Sequence, residues 1–335
     1  MKKMIKATII VIMFWLSVFL IPSVCFSDFT ATIFRQPEIV DNSSRFCKDF
    51  FRPDIISPHV QPENSINKSV LFAAQNNNRN NMDSDNPSFP KKVVRDIRHA
   101  WDVTLSDFTY IYSSPARMNK EYALWVGGFL ALGGVIFAYD QEIYDAIHRN
   151  KDHKLYKPFL NLGEACEDLG YMGFTNKYFF AALFTGYLLD NKLMMNISGD
   201  ILESFGVAAL GKNTTMWSVG RYGPALDMGP RHFRSFDGRS MPSGHSSAIM
   251  QFSTVMANHI DYLPFKIVAY TCATSVLFQR VTSDHHWPSD VYVGATYGRL
   301  ISRTLMKRAN ARRLKVTPAQ FYGGDGTGFQ ITYGF

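Results

Sequence analysis

Residues 122–138 form a run of 17 residues without a single charge, the longest such apolar run after the first 27 residues. A strand of that length is rare. The run therefore predicts a helix, buried in a protein core or lying in a bilayer, for which 17 residues is the lower limit of a full span. Asp140 and Glu142 end it. Further apolar or amphipathic segments follow at 178–189, 193–210, 245–260, 266–278 and 288–306. Val93, Val94, Ile97, Trp101 and Leu105 precede the run at helical spacing. The stretch 140–173 is charged and predicts short helices. No alternating strand pattern interrupts 92–306. The expectation is an all-α domain, a six-helix bundle with short connections. A soluble bundle and a membrane-embedded one both satisfy this pattern.

The ends of the chain differ from this core. Lys2, Lys3 and Lys6 precede an apolar run at 8–21, and Cys25-Phe-Ser27 offers small residues at a cleavage site. Residues 1–27 thus read as a signal peptide, with an uncleaved anchor helix as the alternative; either predicts export to the cell envelope. Residues 28–91 predict a poorly ordered segment ending in an Asn-rich linker at 75–86. The helical domain takes 92–311. The tail, 312–335, has two short strand-like segments around Gly323-Gly-Asp-Gly-Thr-Gly328 and predicts a β-hairpin. Cys47, Cys166 and Cys272 match no metal spacing. Cys272 reads as core, and an oxidising compartment permits a Cys47–Cys166 bridge. The net charge of +7 favours anionic partners. Its basic residues are scattered, with no nucleic-acid signature.

Two stretches carry chemistry. Ser240-Met-Pro-Ser-Gly-His-Ser246 reads as a turn opening a helix, with Ser243 as its N-cap. Unpaired N–H groups at a helix start attract an anion, and His245 stands there as a proton donor. Some forty residues later, Gln279-Arg-Val-Thr-Ser-Asp-His-His-Trp-Pro-Ser-Asp290 supplies a cation (Arg280), an imidazole (His286) and a carboxylate (Asp290). Pro288 suits a helix's first turn. Together these groups suit attack by a histidine on phosphorus. Asp284-His285-His286 lacks a second ligand group at helical spacing, so no metal is expected.

Pro242-Ser-Gly-His245 followed by Arg280-x5-His286-x3-Asp290 resembles the second and third signature motifs of the type 2 phosphatidic acid phosphatase and vanadium haloperoxidase superfamily. The resemblance covers about 92–306. It implies that His286 attacks phosphorus, that Asp290 holds the His286 imidazole, and that His245 protonates the leaving oxygen. Arg280, Ser243 and Gly244 would bind the phosphoryl oxygens, with Arg221 as a further phosphate-binding cation. It implies no cofactor. The implied activity is hydrolysis of a lipid phosphate or diphosphate, of the phosphatidate, phosphatidylglycerophosphate or undecaprenyl diphosphate class, with membrane association. Alternatives are a non-catalytic phosphate or lipid-headgroup binding module and a vanadium haloperoxidase. One departure stands out. The family's first motif, Lys-x6-Arg-Pro, places Met216 at its lysine and Gly223 at its arginine. Lys212 falls one helical turn too early. Arg231, Arg234 and Arg239 are the substitutes in reach along the chain.

Overall fold

The computed structural model describes residues 89–154, 156–320 and 327–333. The expected signal peptide, the Asn-rich linker, Cys47 and the glycine-rich turn at 321–326 lie outside the described residues. The chain parts into two units at Val103/Thr104. Of the unit before that point, only the opening of one helix is described. The helical domain that carries the motifs belongs to the other, from Thr104 onward.

Nine α-helices are described: α1 (Phe89–Tyr112), α2 (Lys120–Ala138), α3 (Asp140–Asn150), α4 (Lys157–Gly170), α5 (Met172–Leu188), α6 (Lys192–Val219), α7 (Gly244–His259), α8 (Leu263–Thr282) and α9 (Pro288–Arg313). Local chemistry sets their starts. Asn119 and Asn191 cap α2 and α6 by accepting from Tyr122 N and Met194 N at 2.7 and 3.0 Å. Pro288 opens α9, where its missing N–H leaves nothing unpaired.

The expected six-helix bundle is corrected to nine helices among the described residues. Of the three further helices, α1 is the amphipathic helix expected from Val93 to Leu105, and the charged stretch 140–173 supplies the other two. It folds as α3 and α4, whose apolar faces put Ile143, Ala146 and Cys166 into the core. Their exposed faces carry the charges that make the stretch look peripheral in the sequence. Cys166 and Cys272 are free thiols; Cys47, the other half of the expected bridge, is not among the described residues. After α9 the backbone of Leu314–Gln320 pairs antiparallel with Thr327–Tyr333, from Leu314↔Tyr333 to Gln320↔Thr327. A two-stranded ladder is marginal on its own. The architecture is therefore helical, and the expected fold class, a six-helix bundle with a short C-terminal β-hairpin, is corrected to a helical one.

Helix α7 is central. Ile249 and Met250 face one core cluster, which includes Ile136, Ile143, Leu277, Phe278 and Val291. Ala248 and Val255 face a second, built from Ile201, Phe205, Ile301 and Leu305. Close approach makes this possible. A Cβ at Gly294 of α9 would lie 2.4 Å from the Ser243 carbonyl oxygen, and one at Gly298 would lie 2.2 Å from that of Ser247. Backbone thus meets backbone where α7 starts. Inside the contact, Ser204 Oγ donates to Gln251 Oε1 at 2.9 Å and lies 2.9 Å from Ser302 Oγ, so these buried polar atoms are partnered.

Several helices outrun the apolar segments that announce them. α6 continues from the expected end at Leu210 to Val219 and stops at Gly220, which holds a left-handed φ of 58°. α8 continues to Thr282 and so carries Arg280 in its last turn. Both extensions bring side chains toward the start of α7.

Candidate active site

The site assembles at one end of the bundle, where α6 and α8 finish and α7 and α9 begin. Ser243 is the N-cap of α7. Its Oγ accepts from Ser246 N at 3.3 Å and from Ser246 Oγ at 2.8 Å, and the residue is fully buried. Its oxygen thus accepts twice from the helix, and its hydroxyl proton remains a donor. The N–H groups of Gly244 and His245 stand outside the helical ladder. The start of α7 is fixed to α9 by Ser243 N donating to the Asp290 carbonyl at 3.0 Å.

His245 stacks on Tyr171, with ring centroids 5.9 Å apart and planes 15° from parallel. Burial pushes its pKa down to about 4, the Arg280 charge adds to this, and Glu167 opposes it. His286 lies in the loop before α9. Its Nδ1 is 2.8 Å from the Ser240 carbonyl oxygen. A carbonyl can only accept, so Nδ1 carries the proton and Nε2 keeps its lone pair. Burial pushes His286 down to about 3; the bond to Ser240 opposes this, and Arg280 and His245 reinforce it. The ring is therefore neutral at ordinary pH.

Asp290 does not hold His286 directly. Its Oδ2 accepts from Ser240 Oγ at 2.5 Å and from Trp287 N at 3.0 Å, and Ser240 Oγ is 3.3 Å from His286 Nδ1. The expected carboxylate–imidazole contact is thus replaced by a chain through Ser240. The cause lies in the fold of 240–243, whose backbone passes beneath the imidazole. Burial raises the Asp290 pKa, and Arg221 holds it down.

Arg221 departs further from expectation. It is fully buried behind the site. Nη1 donates to Asp290 Oδ1 and to Ser289 Oγ, both at 2.7 Å; Nη2 donates to Asp140 Oδ2 at 2.6 Å; Nε donates to the Pro230 carbonyl at 2.9 Å. Phe137, Phe233 and Trp287 surround it. A guanidinium so engaged supports Asp290 and is not placed to bind phosphate.

Arg280 is nearly buried. Its Nη2 donates to Glu167 Oε1 at 2.5 Å and its Nε to Gln279 Oε1 at 2.8 Å, while Gln279 Nε2 donates to Glu167 Oε2 at 2.8 Å. Glu167 is not legible in the sequence as a site residue, because it sits on a charged helix with few apolar positions. Lys212 falls a turn early when counted along the chain. Yet its Nζ lies 3.3 Å from where a Cβ on Gly244 would stand. The longer α6 puts a lysine at the start of α7 by another register. Arg231, Arg234 and Arg239 are exposed, and Arg234 pairs with Asp237 at 3.5 Å.

A neutral imidazole, a second histidine, two cations and a helix start thus stand within reach of each other's charge. That arrangement can bind a tetrahedral anion and accept a bond to its central atom.

Residues 200–314 match the PAP2 superfamily. No curated protein matches the chain. Among solved structures, a transmembrane PAP2-type phosphatidylglycerolphosphate phosphatase from Bacillus subtilis is 21% identical, with a TM-score of 0.40; the match covers 58% of this chain and 98% of that one. The stretch that matches the PAP2 superfamily, 200–314, carries Lys212, His245, Arg280, His286 and Asp290.

Proposed function

We propose that the protein is a phosphohydrolase that acts on a lipid phosphate or diphosphate through a phosphohistidine at His286. One observation carries the reading: the Ser240 carbonyl fixes the proton on His286 Nδ1, so Nε2 is a nucleophile beside the start of α7. Nε2 attacks phosphorus, and the P–O bond to the leaving group breaks. His245 gives its proton to the departing oxygen. Arg280, Lys212 and the N–H groups of Gly244 and His245 hold the other phosphoryl oxygens. Arg280 exchanges Glu167 for substrate in this step. Water then attacks the phosphohistidine, His245 takes up its proton, and phosphate leaves.

The lipid reading rests on exposed apolar surface. Two helices, Lys120–Ala138 and Lys192–Val219, are long and apolar enough to cross a membrane. In the first, 6% of the apolar window is buried. Phe180, Phe184 and Leu188 are also exposed along one side of α5, as are Leu263 and Ile267 on α8. Apolar surface in such stripes suits acyl chains. The basic, apolar N-terminus supports a location in the cell envelope after export.

The test is phosphate release by purified protein from phosphatidylglycerophosphate, phosphatidate, undecaprenyl diphosphate and a soluble monoester. Release from at least one lipid, faster than from the soluble ester, is expected. Inertness toward all four ends the proposal. Phosphate binding without turnover would leave a binding module instead.

Lys212→Met removes a charge-assisted contact of about 1.5–3 kcal/mol, so kcat/KM falls about tenfold to a hundredfold, and Lys212→Arg recovers part of it. An unchanged kcat/KM in the methionine variant would remove Lys212 from the site. The dependence on pH follows from the two histidines. His245 must be protonated to act as the acid, and its pKa is held down to about 4. His286 must be neutral, and it stays so until about 3. As pH falls, His245 gains its proton before His286 does, and bound phosphate raises both. Activity is expected to climb as pH falls below neutral and then to collapse as the buried Asp140 and finally His286 take up protons. His245→Asn flattens the climb; a profile that climbs alike in both proteins would contradict the assignment.

A further inference from the structure

Asp140 is the first residue of α3, where the apolar helix α2 has just ended. Its carboxylate is buried. Oδ2 accepts from Arg221 Nη2 and from Ser289 Oγ, both at 2.6 Å, and Oδ1 accepts from Ser289 N at 2.8 Å. Burial pushes its pKa up to about 6 and the Arg221 charge pulls it back, so the group is ionised at neutral pH. Arg221 thus stands between two carboxylates, Asp140 on one arm and Asp290 on the other.

The sum of charges matters here. Arg221 and Asp290 alone make a closed, neutral pair with little field outside it. With Asp140 added, the buried triad carries a net charge of minus one. Ser240 links that triad to His286. An imidazole that forms a bond through Nε2 while keeping its Nδ1 proton becomes cationic, and it then needs an unspent negative charge nearby.

We propose that Asp140 is a positioning residue for His286: it takes up the charge of Arg221, so that the negative charge of Asp290 stays available to the imidazole as that ring becomes cationic. This rests on the reading of His286 as nucleophile. Asp140 touches neither phosphate nor the reacting atoms.

The test compares wild type, Asp140→Asn and Asp140→Glu. Two quantities are read: kcat and KM for phosphate release, and affinity for orthovanadate and for inorganic phosphate by calorimetry. Vanadate accepts a bond from an imidazole and so reports the cationic ring; phosphate reports Arg280 and the helix start. Asparagine keeps an acceptor for Ser289 N, loses the charge, and turns an amide NH2 toward Arg221 Nη2 and Ser289 Oγ, whereas glutamate keeps the carboxylate. Asp140→Asn is expected to lower kcat and vanadate affinity about tenfold or more, with KM and phosphate affinity within about twofold. Asp140→Glu, which keeps the charge beside Arg221, recovers at least fivefold over Asp140→Asn. An Asp140→Asn protein like wild type overturns the proposal. So does an Asp140→Glu protein no better than Asp140→Asn, or a parallel loss of phosphate affinity, which would mark a collapsed site. Should Asp140→Asn fail to fold, Asp140→Glu decides: vanadate affinity within tenfold of wild type supports the proposal, and a greater loss overturns it. His286→Ala run alongside separates the two ideas. If it still turns over, the nucleophile reading fails, whatever Asp140 does; if it is inert while Asp140→Asn is normal, only the role of Asp140 falls.

Discussion

His286→Ala lowers phosphate release by on the order of 10³-fold or more, the scale on which removal of a covalent nucleophile acts. Among the described residues no neighbour replaces it. His285 is exposed, and its Nδ1 is 2.9 Å from Ser283 Oγ. His245 faces Tyr171 and is the proton donor of the proposed reaction. The variant loses the imidazole bond to the Ser240 carbonyl but keeps those from Ser240 Oγ and Trp287 N to Asp290, so it folds and still binds inorganic phosphate through Arg280 and Lys212. The measurements are initial rates on a lipid phosphate and the acid-labile phosphoryl group trapped on the protein. His285→Ala serves as the control and retains its rate within about twofold. Release that persists in His286→Ala, or phosphoryl label found elsewhere, would defeat the mechanism.

Gly294→Ala is expected to damage both stability and rate, although no functional group changes. The added carbon would stand 2.4 Å from the Ser243 carbonyl oxygen and 3.1 Å from its nitrogen. Both are backbone atoms and cannot rotate aside. The start of α7 must therefore move away from α9. Overpacking of this kind costs about 1–3 kcal/mol. Ser243 also donates to the Asp290 carbonyl, so the shift changes the spacing between His245 and His286. Misplacement by about 1 Å can cost roughly 10²-fold in rate. Urea melts and kcat for this variant should fall together. Gly199→Ala is the contrast: nothing lies within 4 Å of the new carbon, and a helical alanine is more stable than glycine by up to about 1 kcal/mol. Wild-type kcat in Gly294→Ala would show that the close contact does not position the site.

Much of this geometry can be read from the chain. His245, Arg280, His286 and Asp290 sit in two short stretches whose turn and cap residues fix local shape, and the fold brings those stretches together. What escapes is set by longer-range facts. Lys212 escapes because α6 runs past the expected end at Leu210 to Val219, so spacing counted back from Gly223-Pro224 picks out Met216 instead. Glu167 and Asp140 come from helices whose charged faces disguise their buried ones. Arg221 is visible as a cation, but only the packing shows that its arms point to carboxylates. The direct Asp290–His286 contact fails for a similar reason: register along a helix cannot reveal that the backbone at Ser240 lies between them. Nine helices emerge in place of six because amphipathic segments with few apolar residues still build a core when their neighbours supply the rest.

Ser243 Oγ accepts as a cap, and main-chain N–H groups stand as donors beside it at the opening of α7. A survey that truncates side chains one by one is blind to such donors, since alanine at Gly244 or His245 keeps its N–H. Sensitivity would surface instead at Gly294 and Gly298, residues with no side chain to lose, where adding a single carbon disturbs what removing atoms cannot reach.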